Sequence, residues 1–426
     1  MSRVALAALN NPEAAASALR RRTEIHETRA RCQSLAGFVK EAWPILEPET
    51  RLHWGPANEA IAMHLEAITA GDLTRLLINV PPGFMKSLLT SVFWPAWEWG
   101  PCGRPGGRWL TTSYKEDLAK RDAAKMRSLV SSDWYQQLWP LVLERGGESS
   151  FENQFKGWRK ASAIGSMTGY RGDRIVVDDP HSTESAESAS KRATTARLMT
   201  ESIPTRLNDP MASSIVVIMQ RLHTQGASGQ ILRDDPTYEH LCLPMRFEPD
   251  RRCRTSIGFA DTRTHEGELL DGVRYDEATL TALEAKLGPP AVAGQLQQRP
   301  APREGHMFMR KWFEIVSEVP QGGTWARAWD LAATAPTMSG DPDWTVGLVG
   351  TRDWDGTIYI TDMERFRVGP GGLLERVKVV ARGDGWGTCQ RIPQDPGSSG
   401  KVVADWIVQQ LTAEGLQARS EPITDD

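Results

Sequence analysis

No run of apolar residues in this sequence reaches the ~18 needed to cross a bilayer, and the N-terminus has no signal-peptide apolar segment. A membrane-spanning or exported protein is therefore not expected. There is no C-x-x-C pair either. Five cysteines (Cys32, Cys102, Cys242, Cys253 and Cys389) lie scattered, an odd number that fits a reducing compartment and speaks against a structural zinc site. Basic charge is not in excess: 50 Lys and Arg against 54 Asp and Glu leave a net charge of −4. That argues against a uniformly basic nucleic-acid binder and leaves room for local basic patches. Internal repeats and low-complexity tracts are absent too. What remains is a soluble, intracellular globular chain, and 426 residues suffice for roughly two to three domains. Tryptophan is abundant, but Trp94, Trp97 and Trp99 sit near Pro95 and Pro101 and read as packing.

The most informative stretch is Leu76–Ser87, LLINVPPGFMKS. Leu76, Leu77, Ile78 and Val80 form a short apolar run, the pattern of a strand buried on both faces of a parallel sheet. A tight Pro81-Pro82-Gly83 turn follows, and Lys86-Ser87 then opens an apolar helix through Leu88, Leu89, Val92 and Phe93. Strand, tight loop, Lys-Ser and helix is the arrangement of a phosphate-binding loop. In the loop Pro82-Gly83-Phe84-Met85 the backbone N–H groups of the last three residues, with the helix N-terminus, would face anionic oxygens, Lys86 the outer phosphates, and the Ser87 hydroxyl Mg²⁺. The strict G-x-x-x-x-G-K-[ST] pattern fails twice, because its glycines fall on Val80 and Met85. An ordinary strand–turn–helix is the plain alternative.

Around this stretch the chain alternates. Residues 1–45 read as a polar, solvated helical arm with Arg20-Arg21-Arg22, and a helical pattern from Leu52 to Ala70 leads into the first strand. Trp109–Ser113 reads as a second strand, followed by a helix from Glu116 to Val130; Arg174–Asp178 reads as a third strand and Ser214–Met219 as a fourth. Strands separated by helices indicate an α/β doubly wound parallel sheet over residues 46–243. Residues 244–318, rich in Arg, Pro and Gly with one helix near Asp276–Leu287, read as a linking or lid subdomain. From Trp325 three strands (325–332, 344–350, 357–364), a helix (372–382), a strand (388–393) and a helix (400–414) make a second α/β domain over 319–426. Three antiparallel strands, a helix and a strand beside the first is the ribonuclease-H-like order.

Two constellations carry chemistry. The third strand ends in Asp178-Asp179, where one carboxylate would hold a Mg²⁺ shell and the other orient and deprotonate an attacking water. A helix start at Asp179-Pro180 with Ser182 is the alternative. Just upstream, Gly169–Arg174 carries Arg171 and Arg174, and an arginine there could meet a γ-phosphate in its own subunit or a neighbour's. Gln220 and Arg221 end the fourth strand, where a polar group can sense that phosphate; His223 reads as structural. Arg251, Arg252 and Arg254 read as a solvated loop. The second constellation is Asp330, in the first strand of the C-terminal region, and Asp395 after its fourth. The ribonuclease-H-like order brings these together, and a two-metal site there would cut phosphodiesters by in-line attack. Asp341, Asp343 and Asp362 are lesser candidates, each more simply a turn cap or a solvated acid.

Taken together, RLLINVPPGFMKS, TTSYKEDLAKR, TGYRGDRIVVDDPHS, IVVIMQRLH, RAWDLAAT, GDPDWTVG and QDPGSSGK resemble, in order and spacing, the large subunit of the bacteriophage terminase, from about Leu52 onward. The resemblance implies an ATPase and metal-dependent endonuclease that packages viral double-stranded DNA into a procapsid. Lys86 and Ser87 would bind ATP and Mg²⁺, Asp178 would be the metal-shell acid, Asp179 the catalytic carboxylate and Arg171 the arginine finger. Gln220 and Arg221 match the coupling motif. Asp330 and Asp395 would be nuclease ligands for Mg²⁺ or Mn²⁺, with Asp343 accessory. Implied partners are a portal protein ring, a small terminase subunit and further copies of this chain, in the cytoplasm of an infected bacterial host and outside the mature virion. Family members continue through another strand and a helix with a further metal-binding aspartate, so the nuclease is expected to be incomplete here; Asp425 and Asp426 do not replace that ligand. A nucleic-acid-dependent ATPase or helicase without nuclease activity, or a non-catalytic phage assembly protein with a degenerate phosphate loop, are the rival readings.

Overall fold

Leu76, Leu77 and Ile78 are fully buried because successive side chains of an extended strand feed two different cores. Leu76 and Ile78 join Val176, Val216 and Ile218 in one, while Leu77 joins Ile175, Val177, Ile215 and Val217 in the other. A sheet covered on both faces follows directly from that run. The computed structural model describes residues 12–167, 169–300, 312–319, 322–332, 343–394 and 398–422. It divides into two compact units, Met1–Arg303 and Glu304–Asp426.

The first unit contains strands β1 (Arg75–Asn79), β2 (Arg108–Ser113), β3 (Leu143–Gly146), β4 (Ser150–Asn153), β5 (Trp158–Ala163), β6 (Arg174–Asp178), β7 (Ser214–Met219) and β8 (Glu239–Cys242). Their order is β3-β4-β5-β2-β6-β7-β1-β8. The six from β5 to β8 run parallel, and β3 and β4 extend the sheet as an antiparallel ribbon. The expected four strands are present, and β3, β4, β5 and β8 are additional. Helix α1 (Pro12–Arg31) is largely exposed. Helix α2 (Leu35–Leu46), expected as part of a polar arm, instead buries Leu35, Phe38, Val39 and Trp43 in the core. Helix α3 (Pro56–Ala70) starts on Pro56 and ends at Gly71 in the left-handed region. Helix α4 (Glu116–Ser131) follows β2. Trp94 and Trp99 are fully buried and Trp97 nearly so, the packing role expected of them. Residues 244–300 are tied to this unit, since Met245, Cys253, Leu270, Leu280 and Leu296 enter the same core.

The second unit has strands β9 (Thr324–Asp330), β10 (Thr345–Arg352), β11 (Ile358–Phe366), β12 (Cys389–Gln394) and β13 (Ala418–Pro422), in the order β11-β10-β9-β12-β13. The first three are antiparallel; β12 runs parallel to both β9 and β13. A strand not expected from the sequence, β13, follows the second helical connection. Helices α5 (Pro370–Asp384) and α6 (Ser398–Ala413) lie on the face bearing Trp329 and Ile392. Arg327, almost wholly buried in β9, donates to Asp384 at 2.7 Å, to Asp362 at 2.8 Å and to the Gly347 carbonyl at 2.6 Å. Asp362, more than half exposed, is thus a solvated acid that pairs with Arg327. Among the described residues no helix is long and apolar enough to cross a membrane.

One buried ion pair anchors the first unit: Arg174, at the start of β6, lies 3.1 Å from Glu98, which also accepts from the Thr69 hydroxyl at 2.8 Å. Removing one partner leaves an uncompensated buried charge, which costs more than the intact pair contributes. Glu98→Ala is expected to destabilise the first unit by roughly 3–5 kcal/mol. Urea unfolding followed by tryptophan fluorescence would measure it, and a loss under about 1 kcal/mol would exclude a buried-charge role.

Candidate functional site

Parallel strands all finish at one edge, so the residues that end β1, β2, β6 and β7 are neighbours. Asp178 pairs in register with Ser113 and with Ile218, and Asn79 pairs with Met219. The loop Val80–Met85 leaves β1 at this edge and Lys86 is the first residue of the helix after it. That helix passes through a π turn, Leu89–Phe93, before Trp94–Trp99. Gly83 and Met85 both have positive φ, 90° and 54°. Met85 occupies the place where the strict loop pattern has glycine, and it adopts the left-handed backbone that glycine would take without penalty.

Lys86 is buried, contrary to the exposed position a loop residue suggests. Its ammonium has no hydrogen-bond partner among the described residues and lies 3.7 Å from Asp179 Oδ1. Asp179 has φ 44°, with its N–H donating to the Ile218 carbonyl at 2.8 Å and its carbonyl accepting from Tyr114 at 3.2 Å. The next helix is capped by Ser182, so Asp179 is not consumed as a cap. Asp178 is buried, and one carboxylate oxygen is unpartnered. Burial, then the neighbouring Asp179, push its pKa up to about 7, while the Ser87 hydroxyl and Lys86 work in the opposite direction. Lys86, Ser87, Asp178 and Asp179 are therefore brought together, as their sequence positions implied.

Other groups at this edge were not legible in the sequence. Asp122 of α4, buried and held by Arg121 at 2.9 Å, adds negative potential at Asp178. The amide of Asn79 donates to the Met219 carbonyl at 3.0 Å and accepts from Ser228 at 2.8 Å. Arg274 and Tyr275 stand over the loop: a Cβ on Gly83 would lie 2.7 Å from the Tyr275 hydroxyl and 3.5 Å from Arg274 Nε. Gln220 Oε1 is buried without a partner. Arg221 receives Gln298 Oε1 on its backbone N–H at 3.0 Å. His223 accepts from the Gln225 N–H, a structural role.

Arg171 lies elsewhere. It belongs to the loop before Arg174, at the opposite end of β6 from Asp178, and four residue steps at ~3.3 Å already separate those strand ends by about 13 Å. The geometry sets it apart from Lys86 of its own chain. In the second unit Asp330 is exposed at the end of β9 and pairs in register with Val346, three residues after the exposed Asp343. β12 ends at Gln394, and its parallel pairing with β9 runs toward the same end. Asp341, Asp395, Asp425 and Asp426 lie outside the described residues. Among the described residues no group of three or more His, Cys, Asp or Glu side chains is arranged to hold a metal.

The hydroxyl and carboxylate oxygens of Ser87 and Asp178, with an unpartnered oxygen on the latter, form the hard oxygen donor set that suits Mg²⁺. The buried, hydrogen-bond-free ammonium of Lys86 suits an anionic ligand beside it. A separate cavity of about 660 Å³, lined by residues including Pro56, Glu59, Phe259 and Asp271, contains none of these groups.

Neither a protein-family model nor a curated protein sequence matches the chain. Among solved structures, the crystal structure of the HK97 bacteriophage large terminase is similar at 13% identity, over 93% of this chain and 85% of that one, with a TM-score of 0.43.

Asp178 keeps its proton to about pH 7 in the folded, metal-free chain, whereas an unfolded aspartate loses it near ~3.9. The folded state therefore binds more protons between those values, and its stability falls as pH rises through that window. Asp178→Asn removes the effect. In EDTA, the variant is expected to gain on the wild type by on the order of 2–4 kcal/mol between pH 4 and 8. A stability difference that stays constant with pH would show that Asp178 ionises freely.

Proposed function

We propose that this chain is an ATP-driven motor that packages viral double-stranded DNA into a procapsid and cuts concatemeric DNA with a metal-dependent nuclease, as the resemblance to the large terminase subunit implies. The observation that carries the reading is the meeting of Lys86, Ser87, Asp178 and Asp179 at one strand edge, with Lys86 Nζ 3.7 Å from Asp179. Residues 46–243 act as a P-loop ATPase, 244–318 as its lid, and 319–426 as a ribonuclease-H-like nuclease.

In this mechanism the backbone of Pro82–Met85 and the Lys86 ammonium hold the triphosphate. Ser87 and Asp178 would hold Mg²⁺, which neutralises charge on the β- and γ-oxygens when bound. Asp179, fixed by its backbone contacts to Ile218 and Tyr114, orients water and takes its proton. Gln220 senses the γ-phosphate from the end of β7. Arg221 passes the change to the lid, because its backbone and guanidinium both bond Gln298, at 3.0 and 3.4 Å, and a Cβ on Gly294 would meet the Arg221 carbonyl at 2.8 Å. Such close packing converts a small displacement at Arg221 into movement of residues 292–298. Since Arg171 stands at the far end of β6, any finger role is toward a neighbouring copy in a ring. Asp330, Asp395 and Asp343 are assigned to Mg²⁺ or Mn²⁺ at the nuclease. A portal ring, a small subunit and a host-cytoplasmic setting complete the proposal.

Lys86→Ala and Asp179→Asn are each expected to lower Mg²⁺-dependent ATP turnover by at least about 10²-fold. Lys86→Ala also removes the cation beside Asp178 and Asp179, so a melting midpoint must show that the variant is folded at the assay temperature. Phosphate release and thermal melting measure both, and unaltered turnover in either variant refutes the ATPase assignment. Asp330→Asn and Asp395→Asn should abolish Mn²⁺-dependent nicking of supercoiled plasmid by a chain extended at its C-terminus while ATP turnover persists; nicking that survives both substitutions moves the nuclease site elsewhere.

A further inference from the structure

A second constellation sits at the other end of the sheet from Lys86, on the ribbon that the sequence did not reveal. Register alternation decides which side chains share its faces. Arg145 pairs with Glu152, Glu152 with Trp158, and Lys160 lies two residues beyond Trp158, so all four share one face. Phe151 and Arg159 take the other face and are buried. The open face forms part of a cavity of about 360 Å³ that the loop residues Tyr170 and Arg171 complete. Trp158 meets Tyr170 edge-on with ring centroids 6.2 Å apart, and the Lys160 ammonium lies 5.1 Å from the Tyr170 ring centre. Arg145, Lys160 and Arg171 have no carboxylate partner among the described residues, and the one acid present, Glu152, is matched by Lys156 at 3.5 Å. Three uncompensated cations thus converge on one walled cavity in a chain whose net charge is negative.

We propose that this face is a contact site for the phosphodiester backbone of duplex DNA, with Arg145, Lys160 and Arg171 as its phosphate ligands. The inference rests on the DNA-handling reading above and deepens it by placing the contact. β3 and β5 are two strand spacings apart, roughly 9–10 Å, so their long cationic side chains reach adjacent phosphates of one DNA strand. Trp158 and Tyr170 hold Lys160 at the cavity wall, which lowers the entropy lost when it engages an anion. The site is separated from Asp178 by the full length of β6, so DNA bound there leaves the nucleotide edge open. Contacts of this kind position a duplex without reading its sequence.

The test is binding of a labelled ~30-base-pair duplex to the full-length chain across a salt series, read by fluorescence anisotropy. Each of Arg145→Ala and Lys160→Ala is expected to reduce the slope of log K against log salt by about one, and the double variant by about two, equally on unrelated sequences. Lys160→Arg should restore the slope, and melting midpoints verify that the variants fold. A wild-type slope in the double variant overturns the proposal while leaving the DNA-handling function standing. A wild-type chain that binds no duplex overturns both. Loss of binding to polyglutamate with duplex binding intact would assign the face to an acidic protein partner instead. Arg171→Ala that loses ATP turnover with an unchanged salt slope would remove Arg171 from the site.

Discussion

The edge of the first unit depends on one electrostatic constraint: a lysine ammonium and one carboxylate are held out of water at the end of a sheet, beside a second carboxylate that is partly exposed. Transferring an ion from water into a protein interior costs several kcal/mol unless partners replace the lost hydration. Here they do so only in part. Lys86 has one carboxylate within 4 Å and no hydrogen bond, and Asp178 keeps an unpartnered oxygen. The backbone shows the same tension, because Met85, Asp179 and Gln298 are three of the four non-glycine residues described with positive φ. All three sit in the loop, the acid pair and the contact made by Arg221. Unsatisfied charge and strained backbone coincide where a fold has given up stability for chemistry.

That edge was legible because its strands are apolar on both sides. RLLIN, RIVVD and SIVVIM have few alternatives to a central position, and short polar motifs at their ends then acquire a definite address. The ribbon β3–β5 and the edge strand β8 lacked that signal. LERG, SFEN, WRKASA and EHLC bury only part of their surface, so composition alone does not separate them from loops. Arg171 shows the cost of reading a motif without its direction. Sequence left open whether Arg171 faces its own subunit's site or a neighbour's, and the extended strand carries it to the opposite end from Asp178. Arg274, Tyr275 and Asp122 reach the edge through tertiary packing, which spacing along the chain does not encode. Polarity likewise concealed α2, whose neighbour α1 is solvated whereas α2 is core.

The second unit was readable in outline for a different reason: its strands alternate, and β10 shows buried and exposed positions in strict succession near its centre. Its fifth strand, ARSEP, has almost no apolar content and is defined by pairing with β12 rather than by its own residues. Arg327 illustrates the same point inside the core. Nothing in RAWD marks that arginine as the one nearly buried cation binding two acidic side chains and a strand carbonyl, yet it joins β9, β10, β11 and the end of α5.

A guanidinium stays protonated throughout the range in which cells live, and although burial works against the charge, the hydrogen bonds to Asp384 and Asp362 outweigh it and raise its affinity for the proton. The described residues of the second unit include no histidine, so none of them has a side chain whose ordinary titration falls between pH 5 and 8. The first unit, by contrast, holds Asp178 poised near neutrality, along with seven histidines. Modest acidification therefore alters the charge at the edge bearing Lys86 and leaves the Arg327 guanidinium protonated.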